Sequence, residues 1–174
     1  MKMKKGLALL LSAALMLTAL AACGGKEDDT NGGESEGEGN YIGDTVRTEW
    51  FDFTVEEAYF CDEYEGYTPE SGKRLVVASM TLKSRFDESV PMFQEDFPIM
   101  WGYDEDWDMA YPIDAFTDEQ LPDEYNLGIR RTKSGLLVYE VPEDQKDFSI
   151  GFMEIFEDDS EGETYFVDFT PDER

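Results

Sequence analysis

The sequence predicts an all-β domain, an antiparallel two-sheet sandwich of seven to eight strands. Three observations lead to this prediction. From residue 41 onward, apolar and polar residues alternate with the period of two that is typical of half-buried strands. No long stretch with the 3.6-residue period of a helix follows residue 23. Short acidic turns separate the apolar runs, which favours antiparallel pairing, and two packed sheets let such strands bury their apolar faces.

The first strands are predicted in the N-terminal half of the domain. Residues 51–55 alternate between apolar and polar side chains, and Leu75–Leu82 is a nearly continuous apolar run. A strand that is apolar on both sides is buried on both faces, so Leu75–Leu82 is predicted to be central in its sheet. Residues 97–101 also alternate, but Pro98 within them indicates an edge strand, because proline has no N–H to donate to a neighbouring strand.

A hairpin is predicted next. Residues 107–111 alternate again, and the acidic stretch 102–106 separates them from the preceding strand. Because Trp107, Met109 and Tyr111 share one face, we expect them to point into the core of the sandwich. The alternative is an exposed platform on which a sugar ring stacks, formed by Trp101, Tyr103, Trp107 and Tyr111.

Three further strands complete the domain, at 136–141, 148–156 and 165–169. Glu154 lies on the apolar face of the second of these, where we expect either an edge position or a paired core acid. The acidic turn 157–163 joins the last two strands. Ahead of them, the segment 116–125 is predicted to hold one helical turn, with Thr117 as N-cap and Gln120 three residues later.

The N-terminus predicts export and a lipid anchor. Residues 1–22 combine three lysines with an apolar run of about 12 residues, which is too short to span a membrane and is typical of a cleaved signal peptide. The segment Leu20-Ala21-Ala22-Cys23 resembles the bacterial lipobox. This resemblance implies that Cys23 becomes the first residue of the mature chain and carries a diacylglycerol. Two acyl chains would hold the exported protein on the outer face of the cell membrane.

A linker is predicted between the anchor and the domain. Residues 24–40 contain glycine, charged and small polar residues and no apolar side chain, so they cannot bury enough surface to fold. We therefore expect residues 23–40 to be a lipidated N-terminus and flexible acidic tether, with a typical span of ~20–25 Å. The folded domain is predicted at 41–171.

The chain is strongly acidic, with a formal net charge of −27. Removal of residues 1–22 takes away three of the 14 basic residues and no acid, which leaves 11 basic against 41 acidic residues, a net charge of −30. This balance excludes nucleic-acid binding, which depends on Lys and Arg, and it opposes adsorption to an anionic membrane surface. Its simplest role is solubility, and the alternative is recognition of a cation or a basic partner.

Groups that could support catalysis are few. The chain has no histidine, the commonest general base. Cys61 is the one cysteine besides Cys23, and we expect a small buried residue whose acidic neighbours raise its pKa rather than a reactive thiol. Glu154 comes closest to an isolated acid, but no second carboxylate across a cleft is indicated. The sequence therefore predicts a protein that is not an enzyme and needs no cofactor.

Two segments carry a family resemblance. One is the run from Gly72 to Lys83, GKRLVVASMTLK, and the other is Leu127-Gly128 followed by GLLVYEVP at 135–142. Together they resemble the signatures of small bacterial lipoproteins with a telokin-like, immunoglobulin-like domain of unknown function, over roughly residues 41 to 170. Ser84 stands where the family usually has Asn. The resemblance implies an immunoglobulin-like sandwich and assigns no catalytic residue.

Three groups of residues are candidate sites. Tyr64 and Tyr67 lie in the loop 62–71, where we expect their side chains to be exposed, and loops at the ends of a sandwich commonly carry recognition. Three aspartates have the spacing of the first calcium ligands of an EF-hand, although the rest of that motif is missing, so a weak calcium site is the alternative to a solvated turn: Asp104, Asp106 and Asp108. The acidic turn 157–163 offers the same two alternatives.

The expected function follows from the anchor, the tether and the fold. We expect a lipoprotein on the outer face of the membrane that displays a non-catalytic immunoglobulin-like binding module for a protein or cell-wall component. The alternative is a calcium-binding or glycan-binding accessory lipoprotein of the cell envelope.

Overall fold

The structure is a computed structural model that describes residues 39–103, 106–156 and 158–174, with Tyr103 and Asp106 described by their backbone alone. The predicted signal peptide at 1–22, Cys23 and the linker up to residue 38 lie outside the described residues. Within the part of the chain that the structure describes, no helix is long and apolar enough to cross a membrane.

Twelve strands and one short 3₁₀ helix are present in the described residues. The strands run in chain order as β1 (Asn40–Tyr41), β2 (Thr45–Arg47), β3 (Phe51–Cys61), β4 (Lys73–Ser84), β5 (Val90–Phe93), β6 (Ile99–Tyr103), β7 (Asp106–Ala110), β8 (Glu124–Leu127), β9 (Thr132–Pro142), β10 (Phe148–Ile155), β11 (Glu161–Phe169) and β12 (Asp172–Glu173). The 3₁₀ helix spans Gln94–Asp96, between β5 and β6.

The strands form two main sheets. Sheet A has the order β1-β11-β10-β6-β7, and sheet B has the order β12-β3-β4-β9, with β2 added on β3. The strands β5 and β8 pair separately. All neighbours are antiparallel except the two-residue strands β1 and β12, which run parallel to β11 and β3. The predicted antiparallel sandwich is therefore confirmed, with two short parallel additions at its edges.

The core lies between the inner faces of the two sheets. Phe51 and Phe53 of β3 meet Phe152 of β10 with ring centroids 4.9 Å and 6.2 Å apart. Phe97, just before β6, stacks against Phe152 at 5.5 Å, and all four rings are buried. The Tyr139 hydroxyl of β9 donates a hydrogen bond to the Phe97 carbonyl oxygen at 2.8 Å, which joins the two sheets through the core.

Sheet B is also buried over one end of its outer face, where its outward side chains are apolar. Leu75 and Val77 of β4 and Val138 of β9 form a second cluster with Tyr64, and all four are buried. The loop 62–71 and the segment 112–121 supply the residues that cover this cluster. Because β4 lies between β3 and β9, the prediction that Leu75–Leu82 is a central strand is confirmed.

Two local predictions differ from the structure. Pro98 does not mark an edge strand, because β6 lies between β10 and β7. The proline comes just before the first residue of β6, and its carbonyl accepts a hydrogen bond from the Gly151 N–H at 3.0 Å, so its missing N–H is not needed. The turn predicted at 157–163 is shorter, because β11 begins at Glu161 and the Phe156 N–H already bonds to the Ser160 carbonyl.

The predicted helical turn at 116–125 is also absent as a helix. Its capping contact is nevertheless formed, because the Gln120 side-chain oxygen accepts hydrogen bonds from the Thr117 N–H and hydroxyl at 3.2 Å each. The segment instead pairs with β9, where the Leu121 N–H donates to the Leu136 carbonyl at 2.9 Å. The main-chain groups that a helix would bond internally are thus used by the sheet.

Candidate binding face

The outer face of sheet A forms a concave surface, and the alternation of its strands explains why. In β10, Phe148, Ile150 and Phe152 are buried in the core, so Ser149, Gly151, Met153 and Ile155 point the other way. In β11, Val167 and Phe169 are buried, which turns Thr164, Phe166 and Asp168 outward. These outward residues line one wide cavity of about 1230 Å³ that is open to solvent.

Strand register brings residues from five strands into one row. Asp168 lies opposite Ser149, Ser149 opposite Met100, and Met100 opposite Met109. Tyr41 of β1 lies opposite Asp168 at one end of this row. We call this surface the concave face, and its outward residues are Tyr41, Met100, Trp107, Met109, Tyr111, Ser149, Gly151, Met153, Ile155, Thr164, Phe166 and Asp168.

The concave face is mostly apolar, and its large side chains are exposed. Trp107 is 51% exposed, Met109 40% and Tyr111 54%. The prediction that these three residues point into the core is therefore wrong. The reason is the register of the hairpin: Ile99 pairs with Ala110, and it is this pair that packs against the core, so the residues of opposite parity face outward.

Gly151 leaves space for neighbouring side chains at the centre of the concave face. A Cβ atom at this position would lie 2.5 Å from the Met100 methyl carbon and 3.5 Å from the Phe166 ring. The absence of a side chain therefore lets Met100 lie across β10. Because that methyl is the end of a flexible side chain, the surface can change shape without moving the backbone.

Polar groups on the concave face are mainly carboxylates. The Ser149 hydroxyl donates to the Asp168 carboxylate, and the Thr170 hydroxyl donates to Asp147. Asp96 is half-buried at the edge of the cavity, and burial raises the pKa of its carboxyl while a hydrogen bond from the Phe93 N–H opposes the shift. Lys146 is the one basic residue among those that line the cavity.

The predicted recognition loop has a different role in the fold. Tyr64 is only 8% exposed, so the expectation of an exposed side chain is wrong for it. Its ring packs edge-on against Phe116 at 5.9 Å and its hydroxyl lies 3.2 Å from that of Thr117. Tyr67 is half-buried against the same ring. The pKa of its hydroxyl is raised mainly by burial and further by the Glu140 carboxylate. Both tyrosines help to cover sheet B, and their proposed role in recognition stays a prediction.

The calcium prediction falls largely on residues that are not described. Asp104 lies outside the described residues, as does Glu157 in the second acidic turn, and the side chain of Asp106 is not described. Asp108 is exposed on β7. Among the side chains that are described, no three Cys, Asp or Glu residues lie close enough to hold a metal ion. A calcium site at Asp104, Asp106 and Asp108 stays a prediction.

The two residues considered for reactivity are also placed. Glu154 is 4% exposed, and its carboxylate accepts hydrogen bonds from the Glu49 N–H at 2.7 Å, the Tyr165 hydroxyl at 3.1 Å and the Glu163 N–H at 3.3 Å. It is a buried acid held by neutral donors rather than by a cation. Cys61 is half-buried, and burial raises the pKa of its thiol, with the charge of Asp62 adding to the shift.

Solved structures share this fold. The yjhA protein from Bacillus subtilis matches with a TM-score of 0.57 at 16% identity, covering 74% of this chain and 97% of that protein. A candidate lipoprotein of the same organism, ycdA, matches with a TM-score of 0.54 at 11% identity and 71% coverage of this chain. An uncharacterized β-sandwich protein from Clostridium difficile matches at 15% identity over 80% of this chain and 100% of its own, with a TM-score of 0.48.

These comparisons establish the fold and go no further. This chain spans only 38% of the length of ycdA. The sequence matches no protein-family model and no curated protein. The sandwich class predicted from the alternation of residues is confirmed by the fold that this chain shares with yjhA and ycdA.

Proposed function

We propose that this protein is an envelope lipoprotein whose domain binds a ligand, without catalysis, on the concave face. The observation that carries the proposal is an asymmetry between the two sheets. The apolar side chains on the outer face of sheet B are covered by the protein's own loops, whereas the outer face of sheet A leaves Trp107, Tyr111 and Ile155 more than half exposed around a wide cavity. Soluble proteins rarely expose a contiguous apolar surface of this kind except where they bind something.

The proposed display on the membrane rests on the lipobox at Cys23. The described fold begins at Gly39, and β1 at Asn40 lies along the edge of sheet A. A tether of ~20–25 Å would hold the concave face close to the membrane surface. The lipoprotein name of one fold neighbour supports this part of the proposal.

Binding rather than catalysis is proposed because of the chemistry of the concave face. Its centre consists of Met100, Met109 and Gly151, which provide contact area and no group that exchanges protons. The Ser149 hydroxyl in the middle of the row is already bonded to the Asp168 carboxylate. Pockets that combine apolar walls with a few polar groups at the margin are typical of binding sites.

A second candidate function is glycan binding on the same surface. It is favoured by the exposed rings of Trp107, Tyr111 and Tyr41, which line the same cavity as the hydroxyl and carboxylate groups of β10 and β11. Aromatic rings with an apolar face and nearby hydrogen-bonding groups suit the faces and hydroxyls of sugars. The predicted sugar platform shares Trp107 and Tyr111 with this surface.

The proposal is tested with an uncharged apolar fluorophore, N-phenyl-1-naphthylamine. The protein is residues 23–174 with Cys23→Ser, which contains every buried core residue, from Val46 to Phe169. We expect saturable enhancement of fluorescence, and binding at least fivefold weaker in the double variant Met109→Asp, Met153→Asp. Displacement of the probe by an N-acetylglucosamine hexamer would select the glycan candidate.

The matched control for this test is Ile129→Asp. Ile129 is 52% exposed in the turn between β8 and β9 and does not line the cavity. Equal weakening by Ile129→Asp, or no enhancement by the unchanged protein, would refute the concave face as a binding site. Far-ultraviolet circular dichroism shows whether each variant is folded.

The anchor is tested separately in the full chain expressed in a Gram-positive host. The protein should partition into the detergent phase of Triton X-114, and Cys23→Ser should move it to the aqueous phase. Detergent partitioning that survives Cys23→Ser would contradict lipid attachment at Cys23.

A further inference from the structure

The charges around the concave face point to the class of its ligand. We infer that the concave face binds a cationic amphipathic peptide segment, with the apolar side of the peptide on the methionines and its Lys or Arg residues at the carboxylates. This inference rests on the proposed function and specifies its ligand.

The carboxylates lie at the start of β10 and along one side of the cavity. Asp144 and Asp147 lie in the turn just before this strand, and Asp168 lies opposite Ser149 near its start. Glu95 and Asp96 line another side of the cavity. They come shortly before Pro98, whose carbonyl accepts a hydrogen bond from the Gly151 N–H in the middle of β10. Against these five acids the cavity lining holds one base, Lys146. A ligand that covers the apolar centre therefore meets negative charge on two sides of it.

The length of the concave face sets the length of the ligand. Residues 149–155 of β10 span about 20 Å at ~3.3 Å per residue. A helix of about 14 residues, at 1.5 Å per residue, has the same length. An amphipathic helix that lays one apolar stripe into a groove is a common mode of peptide recognition.

Methionine supplies much of the apolar contact. Five methionines follow residue 22, and three of them, Met100, Met109 and Met153, lie on the concave face, whereas the other two are buried in the core. The unbranched thioether side chain adapts to differently shaped apolar partners. A methionine surface bordered by carboxylates thus favours a ligand that is cationic and amphipathic and depends less on the exact amino-acid sequence of that ligand.

Other occupants fit these charges less well. A second copy would bring the same acidic margin against the first, in a chain of net charge −27. An anionic membrane surface would be repelled for the same reason. The linker residues 24–38 contain no apolar side chain that could cover Met109 or Phe166.

The inference is tested with three 14-residue peptides and the Cys23→Ser chain of residues 23–174. The first peptide is a Leu/Lys amphipathic helix, the second replaces its Lys with Glu, and the third replaces its Leu with Ser. Binding is followed by the anisotropy of a fluorophore on the peptide at 150 mM salt. The Leu/Lys peptide should bind at least tenfold more tightly than either of the others. Equal binding of the Leu/Glu peptide would overturn the charge argument.

Two double variants locate the site. Met109→Ser with Met153→Ser removes apolar surface without a change of charge. Asp144→Asn with Glu95→Gln removes two negative charges at the margin of the concave face without a change of shape. Each should weaken the Leu/Lys peptide at least fivefold. The matched control Asp87→Asn with Glu88→Gln, two exposed acids outside the cavity lining, should change affinity less than twofold. Equal loss in the control would mean non-specific attraction and would refute the inference.

The outcome also separates this inference from the proposed function. If the protein binds N-phenyl-1-naphthylamine on the concave face but not the Leu/Lys peptide, the binding site stands and its cationic peptide ligand is wrong. If neither binds, the proposed function fails first. Tight binding to neutral phosphatidylcholine vesicles that is lost in the methionine variant would assign the concave face to lipid and overturn the peptide ligand.

Discussion

At the scale of single residues, the hydroxyl of Tyr139 connects the two sheets through the core. It is fully buried, burial raises its pKa well above the ordinary value of a tyrosine, and it donates to the Phe97 carbonyl oxygen at 2.8 Å. Phe97 packs against Phe53 and Phe152 at the centre of the core. The hydrogen bond therefore satisfies a main-chain carbonyl in a region where water has no access.

We predict that Tyr139→Phe lowers the free energy of unfolding by about 1–2 kcal/mol, since it leaves a buried carbonyl without its donor. Urea denaturation followed by fluorescence measures the change. Tyr125→Phe is the matched control, because the Tyr125 hydroxyl is buried with no hydrogen-bond partner among the described residues. The control should be neutral or stabilising, and equal destabilisation by both variants would show that the hydrogen bond is not the cause.

Glu154 shows how a buried acid is kept without a cation. Two main-chain N–H groups and the Tyr165 hydroxyl point at its carboxylate, and burial together with this bond raises the pKa of Tyr165 to about 12. Gly162 makes room for the arrangement, since a Cβ there would lie 2.8 Å from a Glu154 oxygen. The carboxylate thus ties the segment before β3 to the hairpin of β10 and β11.

At the scale of elements, the segment 112–121 depends on a close approach to β9. A Cβ at Gly135 would lie 2.8 Å from the Leu121 main-chain nitrogen. That nitrogen donates to the Leu136 carbonyl, and the Leu136 N–H in turn donates to the Glu119 carbonyl, both at 2.9 Å. The glycine is therefore required by the distance between two backbones.

We predict that Gly135→Ala lowers the free energy of unfolding by about 1–3 kcal/mol, because a backbone must shift to accept the new methyl group. Hydrogen exchange should show faster exchange at the Leu121 and Leu136 amides. In the control Gly128→Ala the new Cβ would meet only the flexible Arg131 side chain, at 3.2 Å, so the effect should be smaller. Unchanged amide protection in Gly135→Ala would contradict the steric argument.

At the scale of the whole molecule, the seven strands that show clear alternation or a continuous apolar run are predictable from the sequence. The five further strands, β1, β2, β5, β8 and β12, have two to four residues each, which is too few to show a period. Leu75–Leu82 was placed correctly because burial on both faces leaves a continuous apolar run. The fold class is thus readable wherever a strand is long enough to repeat its pattern.

The concave face was not predictable in the same way. A period of two separates the two sides of a strand but does not say which side faces the core, and this is why Trp107, Met109 and Tyr111 were misplaced. One signal was present in β10 and β11, where Met153, Ile155 and Phe166 are apolar at positions alternate to the core residues. The cavity also combines β1, the hairpin of β6 and β7 and the hairpin of β10 and β11, which are distant from one another in sequence, so their arrangement depends on the fold.

Tyrosine ionisation should limit stability at high pH. The pKa values of Tyr125, Tyr139 and Tyr165 are raised mainly by burial, that of Tyr165 to about 12. The folded protein therefore keeps tyrosine protons that the unfolded chain loses above about pH 10. The free energy of unfolding has its full value below pH 10 and falls as the pH rises beyond it. For the fully buried Tyr139 the slope is about 1.4 kcal/mol per pH unit.

We predict that the urea midpoint falls steeply between pH 10 and pH 12 and that absorbance at 295 nm shows these tyrosines ionising together with unfolding. Tyr139→Phe should make the fall less steep. A midpoint that stays constant between pH 9 and pH 11.5 would contradict the prediction.

The two-residue strand β1 makes the molecule responsive to mechanical load. Asn40 and Tyr41 pair with β11, and the Asn40 side-chain amide donates to the Phe166 carbonyl at 3.0 Å. A pull on the chain ahead of Gly39 reaches this short ladder before it reaches β2 or the core. Peeling residues 40–44 away would lengthen the tether by about 17 Å and carry the Tyr41 ring off the cavity wall. If the proposed anchor and a ligand on the concave face pull against each other, we expect the concave face to open from the β1 edge before the two sheets separate.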